Sequence, residues 1–284
     1  MLDGSEGYAV QKSMEILVAL GEIFGAEKLI KISSVQVAGV SYHNLGDAGL
    51  EYLENLAKLG ARSQVITTLN PAGMDLENWR ELGIDEDFAI KQHKIISTFE
   101  KMGIRSSCTC TPYLVGNEPK KGDHIAWSES SAVTYANSII GAMTNREGGP
   151  SALASSLTGR TPYYGMHLDH DRTAQAKVLV RAKLDSVPDF GALGFATGKK
   201  LGNKVPFFVG IKQPMLEQLK SLCASIATYG GTAIFHIENV TPNHTTIPTE
   251  TITVENEDLT NAYEQMKTVT TTVTIPLRRK EQCN

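Results

Sequence analysis

Between Gly7 and Gly25 the apolar residues Val10, Met14, Leu17, Val18 and Ile23 recur at helical spacing, and Gly25 supplies a C-terminal stop. The period then shortens. Ile30, Ile32, Val35 and Val37 predict extended chain ending at Gly39. A second helix is predicted from Asp47 to Leu59, closed by Gly60 and followed by a strand over Ser63–Thr67. A third runs from Phe88 to Met102, closed by Gly103, before a short strand at Ile104–Ser107. Further on, Trp127–Ala142, Pro150–Leu157 and Met215–Tyr229 carry helical patterns. Lys177–Leu184 alternates, and Val205–Val209 and Thr232–Ile237 read as strands. The Thr-rich stretch Thr268–Thr274 predicts extended chain paired with Thr251–Val254.

Strands alternating with glycine-stopped helices indicate an α/β layer fold. Two α/β regions are expected, over residues 1–150 and 151–284. In open α/β sheets ligands bind beyond the carboxyl ends of the strands. The loops Gly39–Gly46, Thr68–Asp75, Cys108–Asn117 and Ile237–His244 are therefore the candidates for a site.

Composition narrows the function classes. The chain has 284 residues, 41% hydrophobic and 20% charged, which suits a globular protein with a real core. A formal net charge of -4 gives no basic surplus for nucleic acid or an anionic membrane, so neither is expected as a partner. The acidic start (Met1-Leu2-Asp3-Gly4-Ser5-Glu6) leads into amphipathic sequence rather than a signal peptide, and no apolar run is long enough to span a bilayer. A cytoplasmic location is expected. Four cysteines do not make a disulfide scaffold at this size. No GxSxG elbow, GxxxxGK[ST] loop or GxGxxG turn is present.

Two stretches carry candidate chemistry. Cys108-Thr109-Cys110-Thr111-Pro112-Tyr113 follows a predicted strand directly. Alternating residues of extended chain share a face, so Cys108 and Cys110 would present two thiols to a soft metal. The same pair reads equally well as two small buried hydrophobes. Asn145-Arg146-Glu147-Gly148-Gly149-Pro150 joins two predicted helices. Its glycines let backbone amides approach a ligand, the next helix N-terminus favours an anion, and Arg146 offers a bidentate partner. A plain glycine-rich turn with a surface Arg–Glu pair is the alternative. Trp127-Ser128-Glu129-Ser130-Ser131 adds a hydroxyl-rich helix start, of which capping explains one serine. His43, His93, His124 and His167 are scattered, with none at a metal-ligand spacing, and Cys223 falls on an apolar helix face.

Taken in order, these stretches resemble the large subunit, or catalytic domain, of the aconitase X family. The likeness includes Gly39–Tyr42, Thr68–Asp75, Lys91-Gln92, Cys108–Leu114, Ala126–Ala132, Thr144–Leu153 and Thr158–Pro162. It continues through Gly230-Gly231 and Val240-Thr241-Pro242 and so covers nearly the whole chain. The resemblance implies layered αβα sheets of the aconitase large-subunit type and a hydro-lyase (dehydratase) with an iron or iron–sulfur cluster. Cys108 and Cys110 are then candidate metal ligands. Ser41, Tyr42, Asn70, Ser128, Glu129, Ser130, Ser131, Asn145, Arg146, Glu147 and Gly148 are candidate substrate contacts. It places the catalytic serine on a small partner subunit with a swivelling domain.

Two substrates are known for the family. Two-subunit archaeal members dehydrate 5-phosphomevalonate in a modified mevalonate pathway, and bacterial and fused members dehydrate cis-3-hydroxy-L-proline. The chain begins with the large domain and carries no small one, so 5-phosphomevalonate is the expected substrate. Family large subunits supply further cysteines from a Gly-Cys-Pro motif and a late cysteine pair, and Cys283 matches neither. A catalytically incomplete fragment serving as a binding scaffold is therefore the further alternative.

Overall fold

The structure is a computed structural model that describes residues 1–272, with side chains through Lys267. Its first half is α1 (Tyr8–Ile23), β1 (Leu29–Lys31), β2 (Ser34–Val37), α2 (Tyr42–Lys58), β3 (Ile66–Leu69) and α3 (Glu86–Lys101). Then come β4 (Ala126–Trp127), α4 (Ser130–Tyr135), a π turn at Ala136–Ile140, α5 (Gly149–Thr158) and β5 (Arg160–Pro162). β2 is central, with β3 and β4 parallel on either side. Parallel bridges extend the sheet at both edges, Thr68 to Arg105 and Trp127 to Arg146. One row therefore crosses five chain segments: Arg105, Thr68, Gln36, Trp127 and Arg146. β1 and β5 form a separate antiparallel pair.

Alternation divides the side chains of β2. Val35 and Val37 join a core with Leu53, Leu69, Ile95, Phe99 and Leu157 from α2, β3, α3 and α5. Ser34 and Gln36 point the other way and are equally buried. The hydroxyl of Ser34 accepts the Trp127 indole N–H at 2.8 Å and donates to Asn117. The helices α1 to α3 fall where the patterning puts them. Gly46, with φ +59, kinks α2 just before the predicted start at Asp47. The predicted helix over Trp127–Ala142 is corrected at its start, because Trp127 is a strand residue, fully buried, with its backbone in register with Gln36.

The second sheet is all parallel: β6 (Ala176–Val180), β7 (Pro206–Val209), β8 (His236–Ile237) and β9 (Thr251–Val254), in the order β8-β7-β6-β9. Helices α6 (Val187–Leu201), α7 (Leu216–Gly230) and α8 (Asn256–Thr272) accompany it. The sequence pattern did not predict α6, whose glycines mask the apolar period. Those glycines are packing devices. A Cβ at Gly194 would lie 2.8 Å from Ser225 Cβ, and one at Gly198 would lie 2.7 Å from the Gly230 backbone nitrogen. Thus α6 and α7 approach backbone to backbone. Cys223 of α7 is buried, and burial pushes its thiol far up, as its apolar position implied.

The Thr-rich tail corrects a second expectation. Thr268–Thr272 is helical in α8, and β9 pairs with β6 instead. Leu259, Ala262, Tyr263 and Met266 pack on the second core at helical spacing, and that burial outweighs the β-propensity of the threonines. Val273, Thr274 and Cys283 lie outside the described residues.

Candidate active site at the carboxyl edge of the first sheet

Five loops leave the carboxyl ends of the five segments in the first sheet. They follow Val37, Leu69, Arg105, Trp127 and Arg146. The loop Ile237–His244, also named from the sequence, follows β8 in the other sheet and is not among them.

The loop after β2 ends at Ser41, which caps α2 by accepting the His43 N–H at 3.2 Å. Tyr42 follows. Its hydroxyl donates to Asp47 (2.9 Å) and accepts from Lys91 (2.9 Å), and Lys91 also pairs with Asp47 and Asp87. Gln92, fully buried on α3, ties this loop to the next. Its amide nitrogen donates to Val40 O at 3.0 Å, while its oxygen accepts from Tyr42 N (3.0 Å) and Gly73 N (3.2 Å). A Cβ at Gly73 would meet Ser41 Oγ, so any larger residue would require the serine hydroxyl to turn away.

The third loop carries the cysteines. Thr109 N–H donates to Leu69 O at 3.1 Å, which continues the β3 pairing up to the edge. The backbone is not extended at Cys108, whose φ of +44 lies in the left-handed region. That turn breaks the alternation, so the two thiols meet different surroundings. Cys108 is half-buried against the first core; burial raises its thiol, and the Ala72 backbone hydrogen bond partly offsets this. Cys110 is exposed, with Sγ 3.7 Å from Asn70 Oδ1. Partial desolvation raises its thiol, and the charge of Glu129 adds to that.

Glu129 opens α4. Its carboxylate accepts from Ala132 N (2.7 Å), Ser131 Oγ (2.6 Å) and Ser130 Oγ (3.4 Å), so this acid and the two serines form one cap. Ser128 is buried, and its hydroxyl donates to Gln36 O at 2.9 Å.

The fifth loop is not the simple helix–helix turn that the sequence suggested. Arg146 bridges to Trp127 and Glu147 N–H donates to Trp127 O, so the segment behaves as a sheet edge before α5 begins. Gly149 packs on the loop after β2, where a Cβ would stand 2.7 Å from Ala38 O. Gly148 is exposed beside it. Arg146 is exposed, and its guanidinium makes no hydrogen bond or ion pair among the described residues. Partial burial lowers its pKa, and the Glu129 carboxylate counters that.

Glu147 and Asn145 turn inward. Glu147 accepts Ser151 Oγ at 2.6 Å and Thr161 Oγ1 at 3.5 Å, and burial raises its carboxyl pKa against those two hydrogen bonds. Asn145 donates to Tyr164 O (3.0 Å) and accepts Met166 N (2.8 Å).

The loops on this edge thus carry Asn70, Cys110, Glu129, Ser130, Ser131, Arg146 and Gly148, with Cys110 beside Asn70 and Glu129 capped with the two serines. Ser41 ends the first loop and Tyr42 opens α2, both with their polar groups engaged, and Ser128, Asn145 and Glu147 belong to the buried frame. Gln36 and Gln92 emerge only here as the bridges between loops. The signal for Gln36 was a polar residue between two inward valines. Among the described residues no group of three or more His, Cys, Asp or Glu side chains is placed to hold a metal ion. Cys110 is a suitable soft ligand, but these residues do not complete a metal site around it.

The model for the aconitase X first domain matches residues 1–170, and that for its second domain matches residues 175–264. The chain belongs to the aconitase X family. The crystal structure of Thermococcus kodakaraensis aconitase X in its holo form is 51% identical and superposes with a TM-score of 0.85 over 93% of this chain and 67% of that one. Among named aconitase X relatives, the phosphomevalonate dehydratase large subunit of Methanothermobacter thermautotrophicus is 52% identical, over 94% of this chain and 68% of its own length. The cis-3-hydroxy-L-proline dehydratase of Hypocrea jecorina is 35% identical, over 87% of this chain and 42% of its own. The layered α/β architecture expected from the sequence is that of the aconitase X structure.

Proposed function

We propose that this chain is the large subunit of a phosphomevalonate dehydratase, acting with a small swivelling subunit to remove water from 5-phosphomevalonate. The single observation that carries the reading is the Arg146 guanidinium, which makes no hydrogen bond or ion pair among the described residues. It stands beside the Gly148-Gly149 turn and the start of α5, on the edge that also presents Cys110. That arrangement suits an anionic hydroxy acid. The two-subunit relatives at about half identity support the substrate over the more distant hydroxyproline enzymes.

Elimination of water from a β-hydroxy acid needs a base for the carbon-bound proton, an acid for the departing hydroxide and a clamp on the anion. Arg146 and the amides at the start of α5 hold a carboxylate or phosphate oxygen. The α4 cap, with Glu129 held by Ser130 and Ser131, follows the neighbouring segment of the sheet. An iron or iron–sulfur centre would supply Lewis acidity to the leaving hydroxide. Cys110, the exposed thiol on this edge, would be this chain's ligand to such a centre. The base comes from the small subunit. The reading places the enzyme in the cytoplasm, and no helix among the described residues is long and apolar enough to cross a membrane.

The test is anaerobic co-purification with the small subunit, followed by assays on both substrates. Water loss from 5-phosphomevalonate is the expected result. Turnover of cis-3-hydroxy-L-proline alone, or of neither compound, overturns the proposal.

A further inference from the structure

We propose that Gln36 is a positioning residue whose buried side-chain amide holds the Cys110 loop and the Glu129 helix start in fixed register. Gln36 sits on the central strand β2, in the middle of the five-segment row, and none of its surface reaches solvent. Its Nε2 donates to Thr109 O at 3.0 Å, the carbonyl between the two cysteines. Its Oε1 accepts the Glu129 N–H at 3.2 Å, and its own backbone carbonyl accepts Ser128 Oγ at 2.9 Å. One side chain therefore reaches Thr109 and Glu129, 20 positions apart in sequence (129 − 109), on segments that do not pair with each other in the sheet.

The chemistry at both ends admits one orientation of the amide. A carbonyl waits on one side and an N–H on the other, so turning the amide over would set oxygen against oxygen and N–H against N–H. Apolar β-branched residues are the ordinary occupants of such a strand position. A buried amide is tolerated when its hydrogen bonds are made and is costly when they are not. Here both bonds go to the loops that carry Cys110 and Glu129, whose carboxylate acts electrostatically on the Cys110 thiol and on Arg146. Gln36 thus ties the segment that carries the thiol to the segment that carries the acid. Ser34, two residues earlier on the same face, binds Trp127 and Asn117, the far end of the cysteine loop, whereas Gln36 holds that loop between its two cysteines.

The assignment rests on the proposed function only in regarding this edge as the reacting one, and its test needs no turnover. In the full chain, Gln36→Met removes both bonds at similar volume. Gln36→Glu keeps an acceptor for Glu129 N–H, whatever its protonation state. Two local signals are read. One is hydrogen–deuterium exchange of the peptide containing Glu129, and the other is alkylation of half-buried Cys108 by iodoacetamide, with fully buried Cys223 as the internal gauge of global opening.

Loss of one hydrogen bond corresponds to roughly a two- to tenfold rise in local opening. Gln36→Met is expected to raise both the exchange and the Cys108 alkylation by that factor, with Cys223 unchanged. Gln36→Glu is expected to restore protection of the Glu129 amide. Unchanged exchange and alkylation in Gln36→Met would overturn the proposal. So would Cys108 and Cys223 rising together, which signals general loosening, or Gln36→Glu failing to protect the Glu129 amide. Failure of the dehydratase assay with these results intact would leave the positioning role standing.

Discussion

Gly149→Ala probes the joint between the anion cradle and the central strand. Gly149 is the first residue of α5, and its Cβ would be built 2.7 Å from the Ala38 carbonyl oxygen. Ordinary contact begins near 3.4 Å, so the helix tip must retreat by about 0.7 Å from the loop after β2. The partner is backbone and cannot rotate away. Insertion of a methyl into a packed contact costs about 1–3 kcal/mol. The helix preference of alanine over glycine returns at most about 1 kcal/mol, and less in a first turn. The net loss is about 1–2 kcal/mol, which lowers the melting temperature by about 2–8 °C in a chain near this size. Gly148→Ala is the matched control, because its nearest neighbours are Ser151 Oγ at 3.8 Å and Pro150 Cδ at 3.9 Å. Thermal unfolding followed by circular dichroism reads the difference. Equal melting temperatures for the two variants would refute the close-approach argument. In the reconstituted enzyme the displaced helix tip should also raise KM a few-fold in Gly149→Ala.

Three further outcomes are expected. Arg146→Gln should raise KM for the anionic substrate roughly 10- to 100-fold, the worth of a charge-assisted hydrogen bond, with an unchanged melting temperature. A large loss of stability would instead show that the guanidinium holds the fold. Glu147 is buried with its carboxyl pKa raised by burial, so above the ordinary 4.5 the folded chain binds the proton that the unfolded chain has released. Stability from this site therefore falls as pH rises from about 4.5 through the folded value. Glu147→Gln should melt higher than the parent at pH 8 and alike at pH 4, and parallel melting curves across that range would contradict this. Gly194→Ala should destabilise by about 1–3 kcal/mol in urea unfolding, because its Cβ would meet Ser225 Cβ at 2.8 Å and Ile226 N at 2.9 Å. A neutral result would mean that α6 and α7 can separate freely.

What the sequence determined by itself was local. Periodicity placed α1, α3 and most of α2, and the glycine stops set their ends, because an amphipathic face and a left-handed terminus are properties of neighbouring residues. Motif order was sufficient to recognise the family and to bring Arg146, Glu129 and the cysteines into consideration. Tertiary structure decided the rest. Trp127 patterns with the helix that follows it, yet pairing with Gln36 makes it a strand, since a two-residue strand is defined by its neighbours and not by its own period. Cys108 and Cys110 look equivalent until the left-handed turn at Cys108 separates a core-facing thiol from an exposed one. Glu147 and Arg146 look like a surface pair. The parallel bridge at Arg146 leaves the cation outside, and the carboxyl is buried with two hydroxyls. Gln36 escaped the sequence reading, and Gln92 entered it only as part of the Lys91-Gln92 likeness, for the same physical reason. A buried amide is informative only through its partners, and those partners lie on loops that the sheet brings together.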